Sequence, residues 1–291
     1  MNVSKTFLWQ QRPMIYVVGR TFVQTILPFL KKKGSTEVPP QETFVKPPTQ
    51  SLVKAYSKWT GAEKGRYKSL PPHMFCQYAL SFGLDLLNKL PYPLAKIINQ
   101  GVEIKVFGDV TAKKIYLKTE FVEITEENGR ARVHQRMEIG NSKEDICIEV
   151  HLLTAFIIGK RVRNGKKEHQ VDATPLERIA TWSVDKKDGL RFGILSGDLN
   201  PLHWVNFIAK ATPFKGTILH GFGMYTKTFE ILQNYKNQPL KQMSVRFIRP
   251  VKLPNDHLQV MLSEKQEGNH SYKIALEDKN GHSLMVGSCE F

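Results

Sequence analysis

Residues 219–235, LHGFGMYTKTFEILQNY, decide which fold this chain can adopt. Their apolar side chains recur every three or four positions, which is typical of a helix that buries one face. Strand-like runs follow along the chain, namely KQMSVRFIRPV, HLQVMLSEKQEG, SYKIALEDKNG and HSLMVGSCEF. An apolar helix followed by such runs predicts an antiparallel sheet that packs on the helix.

The first half of the chain has the same order of elements. Residues 71–88, PPHMFCQYALSFGLDLLN, again place apolar side chains at helical spacing. The runs VEIKVFG, KKIYLKTEFVEITEENG, RARVHQRMEIG and DICIEVHLLTAFIIG follow, with hairpin signals at 127–129 and 140–142. A helix with its strands, present twice, predicts a duplicated α+β unit in which each half wraps a curved sheet around its helix.

This repeat sets the domain boundaries that we predict. Residues 51–165 form the first unit, residues 166–291 form the second, and residues 161–176 connect them. Residues 1–50 form a basic N-terminal segment. Its residues 34–50 are rich in Pro, Thr and Gln, which is typical of a linker.

Positive charge is concentrated near the N-terminus. The net charge is +15, and residues 1–70 contribute +9 of it through twelve Lys and Arg and three Glu. Such a basic region can meet nucleic acid, anionic lipid or phosphorylated ligands. The sequence has no zinc-finger spacing, RNA-binding signature or basic recognition helix, so nucleic acid is not the expected partner.

Residues 13–30, which three lysines at 31–33 follow, are the most lipid-like stretch of the chain. Their apolar residues recur near helical spacing, but Arg20, Gln24 and Pro28 make them too short and polar for a spanning helix. No small-residue cleavage site follows, which argues against a secretory signal. Two alternatives remain: an amphipathic helix docked on the fold, or peripheral contact with a membrane.

The cysteine pattern points to a reducing compartment. Three cysteines, far apart in the sequence, form neither a metal-binding spacing nor an even disulfide set. We therefore expect a cytoplasmic protein, with membrane association as the alternative that residues 13–33 add. The cysteines are Cys76, Cys147 and Cys289.

An acid and a histidine lie five positions apart in residues 196–203, SGDLNPLH, after the stretch ERIATWSVDKKDGLRFGIL, which we predict as a strand. Pro201 excludes a regular strand interior in this loop. Asn and Pro favour a turn that brings Asp198 and His203 together. An ionised Asp and a neutral His around one water form a general acid–base pair near pH 7. Asn200 is expected to fix the loop through its amide.

The start of the second helix offers donors for a developing negative charge. Backbone N–H groups at His220 and Gly221 lie at a helix N-terminus, where they are unpaired and carry the positive end of the dipole. A carbonyl oxygen that gains negative charge is stabilised by such donors. Gly221 and Gly223 lack Cβ, so a substrate can come close to the backbone. Alone, each motif is an ordinary turn or cap; together they favour catalysis.

A family resemblance rests on the same residues. Residues 192–209, FGILSGDLNPLHWVNFIA, resemble the signature of MaoC-like dehydratases and (R)-specific enoyl-CoA hydratases, and the resemblance continues to His220 and Gly221. Residues 90–94, LPYPL, resemble a weaker motif in the N-terminal halves of two-domain members. The resemblance leaves residues 1–50 unmatched.

The resemblance implies a double hot-dog fold and the reversible addition of water to a trans-2-enoyl thioester, which gives the (R)-3-hydroxyacyl thioester. Asp198 and His203 would hold the catalytic water, Asn200 would support them, and the Gly221 N–H would bind the thioester oxygen. No metal is implied, and no cofactor other than coenzyme A or acyl carrier protein as part of the substrate. Monomer and homodimer both remain open.

Substrate contacts are predicted more widely. The run VRFIRPVK at 245–252 resembles a recurrent strand of the family, and its basic side chains can meet coenzyme A phosphates or an acyl carrier protein. The alternative is a solvated basic face. The residues predicted to bind substrate are Ser196, His220, Gly223, Arg246, Arg249 and Lys252.

The first unit lacks the acid–histidine loop, so we predict that it is non-catalytic and makes room for the acyl chain. His73, near its helix start, is expected to be a cap or a packed histidine. Two other functions remain open. One is dehydration of 3-hydroxyacyl-ACP in lipid synthesis, and the other is a non-catalytic module of the same fold that binds acyl lipid or nucleic acid.

Overall fold

The computed structural model describes residues 2–27, 34–94, 97–160, 175–264 and 271–291. The helices are α1 (Arg12–Ile26), α2 (Gln50–Thr60), α3 (Phe75–Tyr78), α4 (Leu80–Leu87), α5 (Asp188–Ser196), α6 (Asn206–Lys210) and α7 (Gly221–Lys236). Short 3-10 helices span Lys5–Gln11, Pro72–Met74 and Pro201–His203. The strands are β1 (Gln41–Val45), β2 (Ile97–Val106), β3 (Ile115–Glu127), β4 (Arg130–Gly140), β5 (Ile146–Ile157), β6 (Leu176–Val184), β7 (Gln242–Phe247), β8 (Asn255–Ser263), β9 (Tyr272–Glu277) and β10 (Ser283–Glu290).

The strands form one ten-stranded sheet in the order β1-β3-β4-β5-β2-β7-β10-β9-β8-β6. Each half of the chain contributes five neighbouring strands. The halves join where β2 pairs antiparallel with β7, with Val102 opposite Val245. The predicted α+β class is therefore confirmed, and the two half-sheets share one continuous hydrogen-bonded ladder.

The two apolar helices predicted from the sequence lie in a shared core. Tyr225, Phe229 and Leu232 of α7 are fully buried. They belong to the same cluster of buried side chains as Phe75 of α3 and Val150 of β5. The core thus crosses the boundary between the halves, which ties the second unit to the first.

The strand predicted before the acid–histidine loop at 196–203 is half wrong. Leu176–Val184 is strand β6, but Asp188–Ser196 is helix α5. The apolar residues of this stretch alternate in a way that mimics a strand, whereas the fold turns the chain at Asp188, whose Oδ2 accepts a hydrogen bond from the Asp185 N–H at 2.8 Å. Tertiary packing decides in favour of the helix, because α5 buries Phe192 and Leu195 completely.

The predicted linker also contains regular structure. Gln41–Val45 forms the edge strand β1, which pairs antiparallel with β3 from Gln41 opposite Thr119 to Val45 opposite Ile115. A Pro-rich sequence concealed this strand. The helix predicted at 71–88 begins as a 3-10 turn and changes direction at Ala79, between α3 and α4. Residues 161–174 of the predicted connector lie outside the described residues.

The N-terminal segment packs on the fold as a helix. Met14 and Val17 of α1 are buried, and α1 lies against α4. Among the residues that the structure describes, no helix is both long enough and apolar enough to cross a membrane.

The start of α5 packs closely against the acid–histidine loop. A substitution at this contact tests the packing. A Cβ on Gly189 would lie 1.8 Å from the backbone oxygen of His203. We expect Gly189→Ala to lower the free energy of unfolding by about 1–3 kcal/mol, because overpacking forces the backbone to shift. Urea denaturation measures this change.

The matched control is Gly108→Ala, since a Cβ at Gly108 meets nothing within 4 Å. Its free energy of unfolding should stay within about 0.5 kcal/mol of the parent protein. Equal stability of the two variants would contradict the close packing of α5 on the loop.

Candidate active site

The loop that follows α5 starts with a sharp turn at its glycine. Gly197 adopts the left-handed region, with φ 87°, and its N–H donates to the Gly193 oxygen. Ser196 is buried, and its Oγ donates to the Phe192 oxygen at 2.8 Å and accepts from the Asp198 N–H at 3.3 Å. The hydroxyl predicted to bind substrate is thus engaged with the backbone that directs Asp198.

Asn200 caps the short helix that carries the histidine. Its Oδ1 accepts from the Leu202 N–H at 3.1 Å, and its own N–H donates to Asp198 Oδ1 at 3.3 Å. The side chain of Asn200 is exposed. These hydrogen bonds tie Asn200 both to Asp198 and to the short helix that carries His203.

His203 is buried and held by one of its ring nitrogens. Nδ1 lies 2.9 Å from the backbone oxygen of Ile218. Because a carbonyl oxygen can only accept, the proton of the neutral ring is assigned to Nδ1 and the lone pair to Nε2. Burial lowers the pKa of His203 from its usual 6.5, although the nearby Asp198 charge opposes this. A neutral imidazole with a free Nε2 can accept a proton near pH 7.

His220 is stacked on His203 and held in the opposite tautomer. The two ring centroids are 3.5 Å apart, with 25° between the planes. Nε2 of His220 lies 2.8 Å from the Asp198 backbone oxygen, so it carries the proton. Its Nδ1 is buried without a hydrogen-bond partner among the described residues. Burial, and then the neighbouring His203, lower the pKa of His220 to about 3.

The Asp198 side chain completes the cluster. It is partly exposed, and its Oδ2 lies 4.0 Å from His220 Nε2. One ligating atom each from Asp198, His203 and His220 lie within 4.8 Å of one another. The structure therefore brings the predicted acid and base together, and a small molecule such as water can touch both. The same three atoms are close enough to hold a metal ion.

The start of α7 lies beside this cluster, because His220 is its N-cap. The Gly221 N–H has no hydrogen-bond partner in the part of the chain that the structure describes. A Cβ on Gly221 would lie 3.2 Å from ring carbons of Phe247. Phe247 was missed by sequence reasoning, since only the pairing of β7 places it against the helix start.

The remaining predicted contacts lie in different surroundings. Gly223 is buried, and a Cβ there would touch Leu219 and, at 3.4 Å, Trp59, so its small size serves helix packing. Strand alternation puts Arg246 on the sheet face opposite Phe247, away from Gly221. Arg249 and Lys252 are exposed. Lys252 forms a β-bridge with Ile218, whose carbonyl holds His203.

Gln11 is a site residue that sequence reasoning missed altogether. It is fully buried, and its Nε2 donates to the oxygens of Ile194 at 2.9 Å and Leu195 at 3.4 Å. A Cβ on Gly197 would lie 2.7 Å from Gln11 Oε1. The N-terminal segment thus caps the end of α5, where the acid–histidine loop begins.

Comparison with known proteins agrees with this architecture. Residues 166–284 match the family model "MaoC like domain", which confirms for this part of the chain the resemblance predicted from residues 192–209. A search of curated proteins finds no match.

Solved structures are similar over nearly the whole chain. HtdX of Mycobacterium tuberculosis has 19% identity and a TM-score of 0.66, over 86% of this chain and 99% of that one. A MaoC-like dehydratase from Phytophthora capsici has 16% identity and a TM-score of 0.70, over 88% and 95% of the two chains. The full-length peroxisomal multifunctional enzyme type 2 of Drosophila melanogaster has 17% identity and a TM-score of 0.64, over 95% of this chain and 52% of that one. At these identities the similarity shows the fold, and the predicted hot-dog architecture is confirmed.

The buried imidazoles predict a dependence of stability on pH. His220 has a folded-state pKa of about 3, below the ordinary 6.5. Between these values the unfolded chain binds a proton that the folded chain does not, so stability falls as the pH drops below 6.5. We expect His220→Gln to flatten this fall between pH 6 and 4, as measured by urea denaturation across that range. An unchanged slope would contradict a neutral buried His220.

Proposed function

We propose that this chain, whose residues 166–284 form a MaoC-like domain, adds water to a trans-2-enoyl-CoA to give the (R)-3-hydroxyacyl-CoA, or catalyses the reverse dehydration. The observation that carries the proposal is the meeting of Asp198, His203 and His220 within 4.8 Å at the N-terminus of α7. Carboxylate, neutral imidazole and unpaired backbone N–H are the groups that this chemistry needs.

Proton transfer in the hydration direction starts from a water held between Asp198 and His203 Nε2. Nε2 removes one proton while the water oxygen forms a bond to C3 of the substrate. The electron pair of the C2–C3 double bond moves towards C2 and the thioester oxygen. The imidazolium then returns its proton to C2, which restores the neutral ring. Dehydration follows the same steps in reverse.

Asp198 has two roles in this scheme. Its carboxylate accepts a hydrogen bond from the other O–H of the water, which stays on the oxygen and orients it towards C3. Its negative charge also stabilises the imidazolium that forms on the buried His203. In agreement with this, the Asp198 charge raises the pKa of that ring, whereas burial lowers it.

The helix start stabilises the enolate-like oxygen. The Gly221 N–H is a backbone donor at the positive end of α7, and a donor of this kind contributes about 3 kcal/mol to the transition state. His220 keeps Asp198 in place through its hydrogen bond to the backbone oxygen of that residue at 2.8 Å. Asn200 and Ser196 fix the same loop from within.

The direct test replaces the two proton-handling groups. We expect Asp198→Asn and His203→Ala to lower kcat for hydration of an enoyl-CoA by about 10²–10⁴, the range for general acid–base groups. The hydration rate is followed by loss of the enoyl thioester absorbance, and the configuration of the product is determined by chiral chromatography.

The matched control is His282→Ala, because His282 is an exposed histidine paired with Asp278. It should keep the parental rate, and all three variants should keep the parental circular dichroism. Treatment with EDTA should leave the parental rate unchanged, since the scheme uses side chains only. Full activity in both site variants would refute the roles of Asp198 and His203. No activity in the parent would refute the hydratase assignment and favour a non-catalytic acyl-binding protein.

A second candidate function differs from the first in the carrier of the acyl chain, which is acyl carrier protein and not coenzyme A. The exposed Arg249 and Lys252 follow β7 close to Ile218, and an acidic acyl carrier protein would be attracted to them as coenzyme A phosphates would. This favours 3-hydroxyacyl-ACP dehydration as the alternative.

A comparison of kcat/KM on matched CoA and ACP thioesters separates the two functions. We expect the CoA thioester to be the better substrate, and Arg249→Ala with Lys252→Ala to raise its KM more than they change kcat. A strong preference for the ACP thioester would replace the CoA assignment.

A further inference from the structure

The outward face of the N-terminal helix is unusually apolar. Helix α1 buries Met14 and Val17 against the fold, yet its opposite side exposes Tyr16 (68%), Val23 (46%) and Ile15 (43%). A surface helix ordinarily places polar side chains towards solvent. Trp9, just before α1, is 69% exposed, and Leu27, just after it, is 40% exposed. The segment therefore has an apolar surface on both sides.

Three of these side chains, Ile15, Tyr16 and Val23, line one groove. The groove runs along the exposed side of α1, lined by Ile15, Tyr16, Gly19, Arg20, Val23 and Gln24. A Cβ on Gly19 would meet nothing within 4 Å, so the groove is open in its middle. We call the surface formed by Trp9, Ile15, Tyr16, Val23 and Leu27 the N-terminal face. Large exposed apolar patches of this kind mark sites of interaction.

The charged side chains of residues 2–27, which carry the N-terminal face, are all basic. Residues 2–27 contain Lys5, Arg12 and Arg20 and neither Asp nor Glu. The Arg12 guanidinium lies 4.4 Å from the centre of the Trp9 ring, and that of Arg20 lies 5.8 Å from the Tyr16 ring. Arg20 is also paired with Asp85 of α4, at 2.5 Å. Aromatic rings next to arginines are the combination that settles at the boundary between lipid tails and headgroups.

We propose that the N-terminal face docks on an anionic membrane surface, with α1 lying in the plane of the headgroups. The apolar side chains would enter the outer part of the acyl region, and Lys5 and Arg12 would meet lipid phosphates. A second copy of this chain is the less favourable occupant. A symmetric dimer would bring the same face, with its Lys5 and Arg12, against itself and oppose like charges.

Docking would bring the membrane close to the acid–histidine loop. Gln11, two residues from Trp9, holds the end of α5, and Met14 lies against Gly197. With the proposed function, on which this step alone rests, the site would receive thioesters whose acyl chains partition into the bilayer.

The experiment measures flotation of the full chain with vesicles. Phosphatidylcholine vesicles with and without phosphatidylglycerol are compared at low and high salt. We expect binding to the anionic vesicles, weaker binding to the neutral ones, and a loss of binding at high salt. The double variant Trp9→Ser/Tyr16→Ser should bind anionic vesicles about tenfold more weakly, because it removes two interfacial anchors.

The matched control is Phe107→Ser/Tyr235→Ser, which removes two aromatic side chains that are 64% and 53% exposed elsewhere on the fold. It should bind like the parent. Both double variants should keep the parental circular dichroism and the parental rate on a soluble short-chain thioester, so that failure of docking is distinguished from failure of the proposed function.

Three results would overturn the proposal. One is no binding of the parent to anionic vesicles, and another is equal binding of the parent and the Trp9/Tyr16 variant. The third is a dimer of the parent, seen by size-exclusion chromatography with light scattering, that the Trp9/Tyr16 variant loses while vesicle binding is unchanged. That result would assign the face to a second copy.

Discussion

Two hydrogen bonds that run in opposite directions hold the acid–histidine loop at 196–203 to the start of α7. His203 of the loop donates to the backbone oxygen of Ile218, and His220 of the helix start donates to that of Asp198. Each bond contributes about 0.5–1.5 kcal/mol to stability. Their larger effect is on the geometry of the site. Each bond fixes the orientation and the tautomer of one histidine ring, and it also holds the backbone of the other segment. The two rings are stacked because these two hydrogen bonds hold them side by side.

The close contact of the two rings also explains how burial is compatible with the proposed reaction. Two imidazoles 3.5 Å apart cannot both be charged in a dry environment, so the pair stays neutral and presents lone pairs. A buried base ordinarily loses strength, since its protonated form is poorly solvated. Asp198 opposes that loss for His203 through its charge. Burial thus fixes the geometry of the site, and one partly exposed carboxylate offsets part of the loss of basicity.

The sequence predicted those parts of the fold that depend on local periodicity and failed where distant contacts decide. Helix α7 and the strands around it follow from apolar spacing, and the turn chemistry of Asn200 and Pro201 correctly placed Asp198 near His203. Helix α5 escaped prediction because its apolar residues alternate as in a strand, and only its packing selects the helix.

Two further misses have the same physical origin. Strand β1 needs β3 as its partner, and a Pro-rich context gives no local signal for such an edge strand. Gln11 reaches the oxygens of Ile194 and Leu195 from 183 and 184 positions away, so no spacing in the sequence could indicate it. In each case the information lies in a contact between segments and not in either segment alone.

The position of Gln11 changes how the N-terminal segment is understood. The segment precedes the matched domain at residues 166–284, yet its inward side supplies a buried amide to the last turn of α5. Carbonyl groups at a helix end need donors, and Gln11 provides one exactly where the chain must turn into the loop that carries Asp198. A segment that meets this structural need on one side cannot leave the fold without exposing those carbonyls. Its outward side therefore belongs to the same packed unit as α5, so any partner of that face binds next to the acid–histidine loop.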